Sequence, residues 1–419
     1  MENAVTVIRL ARPLQGESLD SATAPELRGE CPRVALILQG GGALGAYQGG
    51  VYEALAAGGY LPDWVAGISI GAINAALIVG NPPERRIERL SEFWRRITRD
   101  SGWLPKAALA QDSVRRWLHA VAAAGAAAMG VPGFFQPRLV PPLLASPGTP
   151  GALSYYDTDA LRTTLEELVD FDLINSGPVR LSVGAVQVTT GNFVYFDNKE
   201  RRLGPEHIMA SGALPPGFPP IEVDGELYWD GGIVSNTPLA AVLENADGIS
   251  TLCFAVDLYP SRGPLPQNMA DVEQRHKDIQ YSSRSRLNIA AYRTYYDQNA
   301  RMLTLLARLP AQARHDPEVA RIAASAGAGR MHVANLIYRA GTHELESKDY
   351  EFSRLTMLEH WHNGARDTTA GIAGEPGWRH SLPQGQGLAT YDLTALVMHT
   401  PGEAAQQVIV PKATPAGKS

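Results

Sequence analysis

The sequence predicts an α/β protein built on a mostly parallel sheet, and three observations carry that prediction. Short, continuous apolar runs at Val34–Leu38 and Trp64–Ile68 read as strands buried on both faces. Each is followed by apolar residues at helical spacing, in Ala46–Ala57 and Ala72–Val79, so the order is strand–helix–strand–helix. Between strand and helix the chain turns on glycine, through GGGALG at 40–45 and GISIG at 67–71. With 419 residues there is room for one large domain and a second unit.

Residues 1–30 show neither period and are expected to form a flexible leader; Arg9 and Arg12 break the apolar run that a signal peptide would need. Ala46–Ala57 ends on Gly58-Gly59, a C-cap signal. Glu84–Asp100 places Ile87, Leu90, Phe93, Trp94 and Ile97 on one side of a helix whose other side is charged and solvated. From 103 to 150 the composition shifts to Ala, Pro and Gly, which predicts an apolar insertion or flap packed over the core. Its Ala120–Val131 stretch is the most membrane-like, yet too short and too alanine-rich to span. Thr158–Val169 reads as a helix, and Val179–Gln187, Asn192–Asp197, Leu227–Asp230 and Ile249–Val256 as strands. After Pro260 the chain turns polar and helical, with helices expected over Met269–Ala307, Val333–Ala340 and Ser353–Asp367. The expected organisation is a leader (1–30), an α/β domain (31–262), a mainly helical C-terminal domain (263–403) and a disordered tail (404–419).

Composition excludes several classes. Apolar residues make up 45% and charged ones 19%, which is ordinary globular material. A net charge of −6 gives no overall attraction to nucleic acid or to an anionic membrane. Two cysteines, Cys31 and Cys253, make a disulfide framework unexpected and fit a reducing, cytoplasmic compartment. Any membrane contact is expected to be peripheral. Arg275, His276, Lys277, Arg284, Arg286 and Arg293 form a basic stretch, read first as a solvated helix face and second as a surface for lipid headgroups or a partner.

Gly40, Gly42 and Gly45 satisfy G-x-G-x-x-G, the turn of a dinucleotide site, but the same glycines can hold N–H groups around a reacting oxygen. A dinucleotide site expects an acid at the end of the second strand, and here that strand ends in Ser69, with Asp63 before it. Gly67-Ile68-Ser69-Ile70-Gly71 is a G-x-S-x-G elbow: a strained turn pushes the serine oxygen clear, and the next helix aims its N–H groups at developing negative charge. A serine nucleophile needs a base. No histidine stands in a triad context, and the His360–His362 pair lacks further ligands at metal spacing. Asp230, followed by Gly231 and Gly232, is a strand-end carboxylate and the better candidate. An ordinary aspartate is a weak base, but burial raises its pKa and a hydrogen bond lets proton transfer accompany attack.

Together, the 40–45 loop, the Ser69 elbow and the Asp230-Gly231-Gly232 turn resemble the patatin-like phospholipases, lipid acyl hydrolases with a Ser–Asp dyad. The resemblance extends to Ala210-Ser211 and Gly217-Phe218-Pro219-Pro220 and covers about residues 33–260. The part after about 265 is similar to an uncharacterised C-terminal domain fused to bacterial patatin domains. What the resemblance implies is a three-layer α/β/α fold with Ser69 as nucleophile and Asp230 as base. It also implies an oxyanion hole from Gly40, Gly41 and Gly42, with Gly45, Gly67, Gly71, Gly231 and Gly232 shaping the motifs. The implied substrate is a lipid or acyl ester, and no metal or organic cofactor is needed. One departure is Leu44, where many members carry Arg or Lys. Acyl transfer to an alcohol, thioester hydrolysis, a nucleotide-dependent oxidoreductase and a non-catalytic lipid-binding or scaffolding protein stay open.

Overall fold

A computed structural model describes residues 30–99 and 112–394, apart from 328, 342, 343, 345, 346, 375, 376, 378 and 379. The expected leader and tail, and residues 100–111 of the expected flap, lie outside the described residues. Eleven strands are described: β1 (Arg33–Leu38), β2 (Trp64–Gly67), β3 (Gln136–Pro137), β4 (Tyr156–Asp157), β5 (Arg180–Gln187), β6 (Phe193–Asp197), β7 (Ile221–Val223), β8 (Glu226–Asp230), β9 (Thr251–Asp257), β10 (Met331–Ile337) and β11 (Leu388–Asp392).

Nine of them form one sheet in the order β11-β10-β9-β1-β2-β5-β8-β7, with β6 also paired to β5. From β11 to β5 all neighbours are parallel; β6, β8 and β7 join antiparallel. The continuous apolar run of β1 has a direct cause. Val34, Leu36 and Leu38 enter one core cluster while Ala35 and Ile37 enter the other, so both faces of this central strand are buried. The glycine loop leaves the carboxyl end of β1 and Ser69 leaves that of β2, side by side, where open α/β sheets place their ligands.

The helices that position the site are α1 (Ala46–Ala57), α2 (Ile70–Val79), α3 (Pro83–Arg96), α4 (Asp112–Met129), α5 (Pro205–Ser211), α6 (Met269–Ala307) and α7 (Arg354–Ala373). The alanine-rich stretch lies in α4, and among the described residues no helix is long and apolar enough to cross a membrane. Helices α1 and α7 touch backbone to backbone. A Cβ built on Gly50 would lie 1.8 Å from the Trp361 carbonyl oxygen, and one on Gly364 would lie 2.1 Å from that of Tyr47.

The last third is mainly helical, with two strands that join the central sheet. It supplies the 39-residue α6 and the 20-residue α7, but also β10 and β11, which extend the central sheet. Val333–Ala340, expected as a helix, falls largely in strand β10, paired in parallel to both β9 and β11. A short apolar run buried on two faces looks alike as helix or strand, and pairing partners decide it.

Candidate active site

Ser69 caps the N-terminus of α2 with φ 57° and ψ −126°, a left-handed backbone rare for a residue with a side chain. Its N–H is held 3.1 Å from both the carbonyl oxygen and the hydroxyl of Ser211, and the Ser211 hydroxyl donates to the Gly184 carbonyl at 2.6 Å. The flanking glycines are demanded by packing. A Cβ on Gly67 would lie 2.3 Å from the Gly71 oxygen, and one on Gly71 would lie 2.3 Å from the Leu38 oxygen. Ser69 is therefore forced outward by backbone that no larger neighbour would permit.

Asp230 ends β8, where Ala185 of β5 pairs with it, and its residue is 2% exposed. The Gly232 N–H donates to its Oδ1 at 2.6 Å. Burial pushes the carboxyl up to about 6, against the opposing pull of the Ser69 hydroxyl beside it and the Gly232 N–H. A base poised there is ionised at neutral pH yet far more basic than a surface aspartate.

The glycine loop divides its labour. Gly40 donates its N–H to the Asn236 carbonyl at 3.2 Å and accepts from the Asn236 side-chain amide at 2.9 Å. A Cβ on Gly40 would lie 2.4 Å from Asn236 Oδ1 and 3.1 Å from Ser69 Cβ. That N–H is engaged, whereas the N–H groups of Gly41 and Gly42 have no partner among the described residues. Gly42 has φ +54°. Gly45 packs so tightly that a Cβ there would lie 2.6 Å from Ile70 Cγ1, and one on Gly231 would lie 2.6 Å from the Gly184 oxygen.

A buried polar network, invisible as a motif, fixes the loop from behind. The Gln39 amide donates to Thr237 at 2.8 Å and accepts from the Leu258 and Tyr259 N–H groups at 2.5 and 3.1 Å. Gln48 donates to the Gln39 carbonyl at 2.7 Å, and Asn74 ties the Gly45 carbonyl to Gln48 at 2.9 Å each. None of these side chains follows a recognisable spacing, since their partners come from distant segments.

Ser69, Asp230 and Gly40–Gly42 share a cavity of about 490 Å³. Phe134, Phe135, Tyr156 and Phe218 form one apolar wall, with Phe135 centred 5.1 Å from Phe218 and 4.9 Å from Tyr156. The expected flap thus contributes its aromatic pair directly. Tyr281, Tyr350 and Phe352 of the last third also line the cavity, Phe352 joining the aromatic wall 6.0 Å from Phe134, a contribution that sequence reading missed. Leu44 is fully buried in the core and does not line the cavity. No histidine lines it among the described residues; His360 is buried instead, 3.6 Å from Glu344. The basic stretch on α6 is partly used within the chain: Arg275 donates to the Pro260 and Ser261 carbonyls at 3.0 and 2.6 Å, and Arg293 to Thr390 at 2.7 Å. Among the described residues no group of three or more His, Cys, Asp or Glu could hold a metal ion.

Two family models match this chain, one described as "Patatin-like phospholipase" over residues 36–243 and one as "Patatin phospholipase" over residues 279–384. The chain belongs to the patatin-like phospholipase family. The first match contains the glycine loop, Ser69 and Asp230; the second begins inside α6 and covers Tyr281, Tyr350 and Phe352. Uncharacterised NTE family proteins of Mycobacterium tuberculosis and Mycobacterium bovis are 26% identical over 341 residues, spanning 78% of this chain and 80% of theirs. Among solved structures, VipD from Legionella pneumophila covers 81% of this chain and 67% of its own at 15% identity, with a TM-score of 0.35. At that overlap it adds nothing to the reading of the site.

Proposed function

We propose that this patatin-like chain is a serine lipid acyl hydrolase of the phospholipase A or carboxylesterase type, working through Ser69 and Asp230. The observation that carries the reading is the strained Ser69 turn set beside a buried carboxyl poised near neutrality, in one aromatic-walled cavity. Ser69 Oγ attacks the ester carbonyl carbon and passes its proton to the Asp230 carboxylate. The N–H groups of Gly41 and Gly42, joined by that of Ile70 at the start of α2, hold the oxyanion. The intermediate collapses, and the leaving alcohol takes the proton from Asp230. Water then attacks the acyl-serine, giving its proton to Asp230; as that second intermediate collapses, Asp230 returns the proton to the departing Ser69 Oγ and the fatty acid is released. Every proton is accounted for without metal or cofactor.

A panel of nitrophenyl esters of graded chain length, followed by glycerophospholipids and acyl thioesters, tests this reading. Hydrolysis of oxygen esters with a chain-length optimum supports it. Exclusive thioester cleavage, or product formed only when an alcohol acceptor is added, assigns the dyad to a thioesterase or transferase instead. The pH profile is a second check. The log of kcat/KM should rise with slope one as pH climbs towards about 6 and then level off, because only ionised Asp230 accepts the proton. Asp257 is another carboxyl that burial pushes up to about 6, so Asp257→Asn should keep this limb.

The lipid phase is expected to be met by the loop between β3 and β4, in a cytoplasmic protein peripheral to the membrane. Residues 139–156 contain no charged side chain, and Leu139 and Leu143 are 101% and 98% exposed. The loop leads into the cavity wall, where the Tyr155 and Tyr156 N–H groups donate to the Pro216 and Gly217 carbonyls at 3.1 and 2.9 Å. Leu143→Ser with Leu144→Ser should weaken sedimentation with phosphatidylcholine vesicles by about tenfold or more, from the loss of two exposed leucines that enter the lipid. Unchanged vesicle binding would remove this loop from the interface.

A further inference from the structure

The glycine loop is held in part by a segment far downstream. The single 3-10 turn Lys348–Tyr350 lies against it, so that a Cβ built on Gly42 would sit 2.0 Å from the Asp349 carbonyl oxygen. Asp349, Tyr350 and Phe352 line the same cavity as Ser69 and Asp230.

This turn is fastened to α6 by two reciprocal ion pairs between consecutive residues. Lys348 Nζ lies 3.0 Å from Asp278 Oδ1, while Lys277 Nζ lies 2.9 and 3.1 Å from the two oxygens of Asp349. A Lys-Asp step on the helix thus meets a Lys-Asp step on the turn, running in opposite order. The inner pair is dry: the Lys348 and Asp278 side chains are 1% and 7% exposed. The Lys348 ammonium also stands 5.6 Å from the Tyr259 ring, whose Cε2 would lie 3.4 Å from a Cβ on Gly41. The fastening therefore reaches both N–H donors assigned to the oxyanion.

A buried ion pair returns little net stability, because desolvating both charges offsets their attraction. What this quartet supplies is register. Sliding the turn by one residue in either direction sets lysine against lysine or aspartate against aspartate, and shifts the Asp349 carbonyl off Gly42. The geometry points to a positioning role: the Lys277-Asp278 and Lys348-Asp349 clasp seats the oxyanion loop, which makes the patatin-associated segment a working part of the catalytic site. This inference rests on the reading of Ser69 as nucleophile and of Gly41 and Gly42 as oxyanion donors.

The test uses the full chain with a short nitrophenyl ester, reading kcat, KM, melting temperature and the pH profile. Asp278→Leu with Lys348→Met removes the inner pair while keeping apolar bulk. The expected result is a kcat lower by about tenfold or more, as for a displaced oxyanion donor, with KM changed less than about threefold and the limb near pH 6 in place. Exchanging the two charges, Asp278→Lys with Lys348→Asp, should restore much of kcat. A folded inner-pair variant with wild-type kcat, or a loss that the exchange does not relieve, overturns the proposal. Should the inner-pair variant fail to fold, the more solvated outer pair decides: Lys277→Gln with Asp349→Asn should lower kcat at unchanged melting temperature, and wild-type kcat there overturns it. If Ser69→Ala kept its activity, the underlying mechanism would fail instead, whatever the clasp does.

Discussion

Replacing Ser69 by alanine is expected to lower kcat/KM for ester hydrolysis by about 10⁴-fold or more, leaving only what binding and the oxyanion donors contribute. Among the described residues, no other nucleophile in the cavity is presented on a strained turn above a helix N-terminus. Asp230→Asn should be nearly as damaging, because the amide cannot accept the Ser69 proton. Its second consequence has the opposite sign. Burial raises the Asp230 carboxyl from 3.8 to about 6. Below 3.8 both folded and unfolded chains are protonated there, and the neutral acid sits comfortably in the fold. Between 3.8 and about 6 the unfolded chain ionises while the folded one keeps its proton, so folding loses stability over that window, about 3 kcal/mol once pH has passed 6. At pH 8 the asparagine variant escapes that cost, so it should melt higher than the wild type, and the gap should narrow towards pH 4. Thermal melts at the two pH values beside ester assays check both halves. Loss of activity joined to a gain in stability marks a residue kept for chemistry at the expense of the fold.

The second large effect concerns Gly42. Alanine there meets the Asp349 carbonyl oxygen at 2.0 Å and must hold φ at +54°, so loop and turn have to part. The expected fall in kcat is on the order of 10²-fold or more, the scale of losing an oxyanion donor. Gly41→Ala makes the instructive comparison. Its Cβ would meet only side-chain atoms, Leu258 Cδ1 at 2.6 Å and Leu258 Cβ at 3.1 Å, and its φ of 173° lies outside the left-handed region. It should cost markedly less. Steady-state kinetics on the two variants side by side, with melts to confirm folding, separates loop geometry from mere crowding. Equal kinetics would remove the special role given to the Gly42 contact.

Much of this was legible in the sequence, and the reasons are local. The βαβα order at 34–79 could be read because β1 and β2 are buried on both faces and turn on glycine. Ser69 and Asp230 could be named because strained elbows and close strand-end turns restrict which residues fit, leaving a motif. What stayed hidden depends on distant partners. Asn236 occupies the Gly40 N–H across 196 positions of chain, which leaves Gly41 and Gly42 as the donors proposed for an oxyanion. Gly49 and Gly50 look like helix weakeners until Trp361 of α7 is seen against them. Val333–Ala340 has no local mark that separates a helix from a central strand. Lys348-Asp349-Tyr350 reads as a polar surface turn, and only the fold brings it to the glycine loop.

The central claim is an acyl group carried by Ser69, and trapping that intermediate tests it most directly. The full chain is mixed with a nitrophenyl ester of the preferred length, quenched in acid within the first turnovers, digested and weighed by mass spectrometry. One acyl group per chain is expected on the peptide containing Gly67-Ile68-Ser69-Ile70-Gly71, and none in Ser69→Ala. An acyl group found elsewhere, or a Ser69→Ala chain that still turns the ester over, would contradict it.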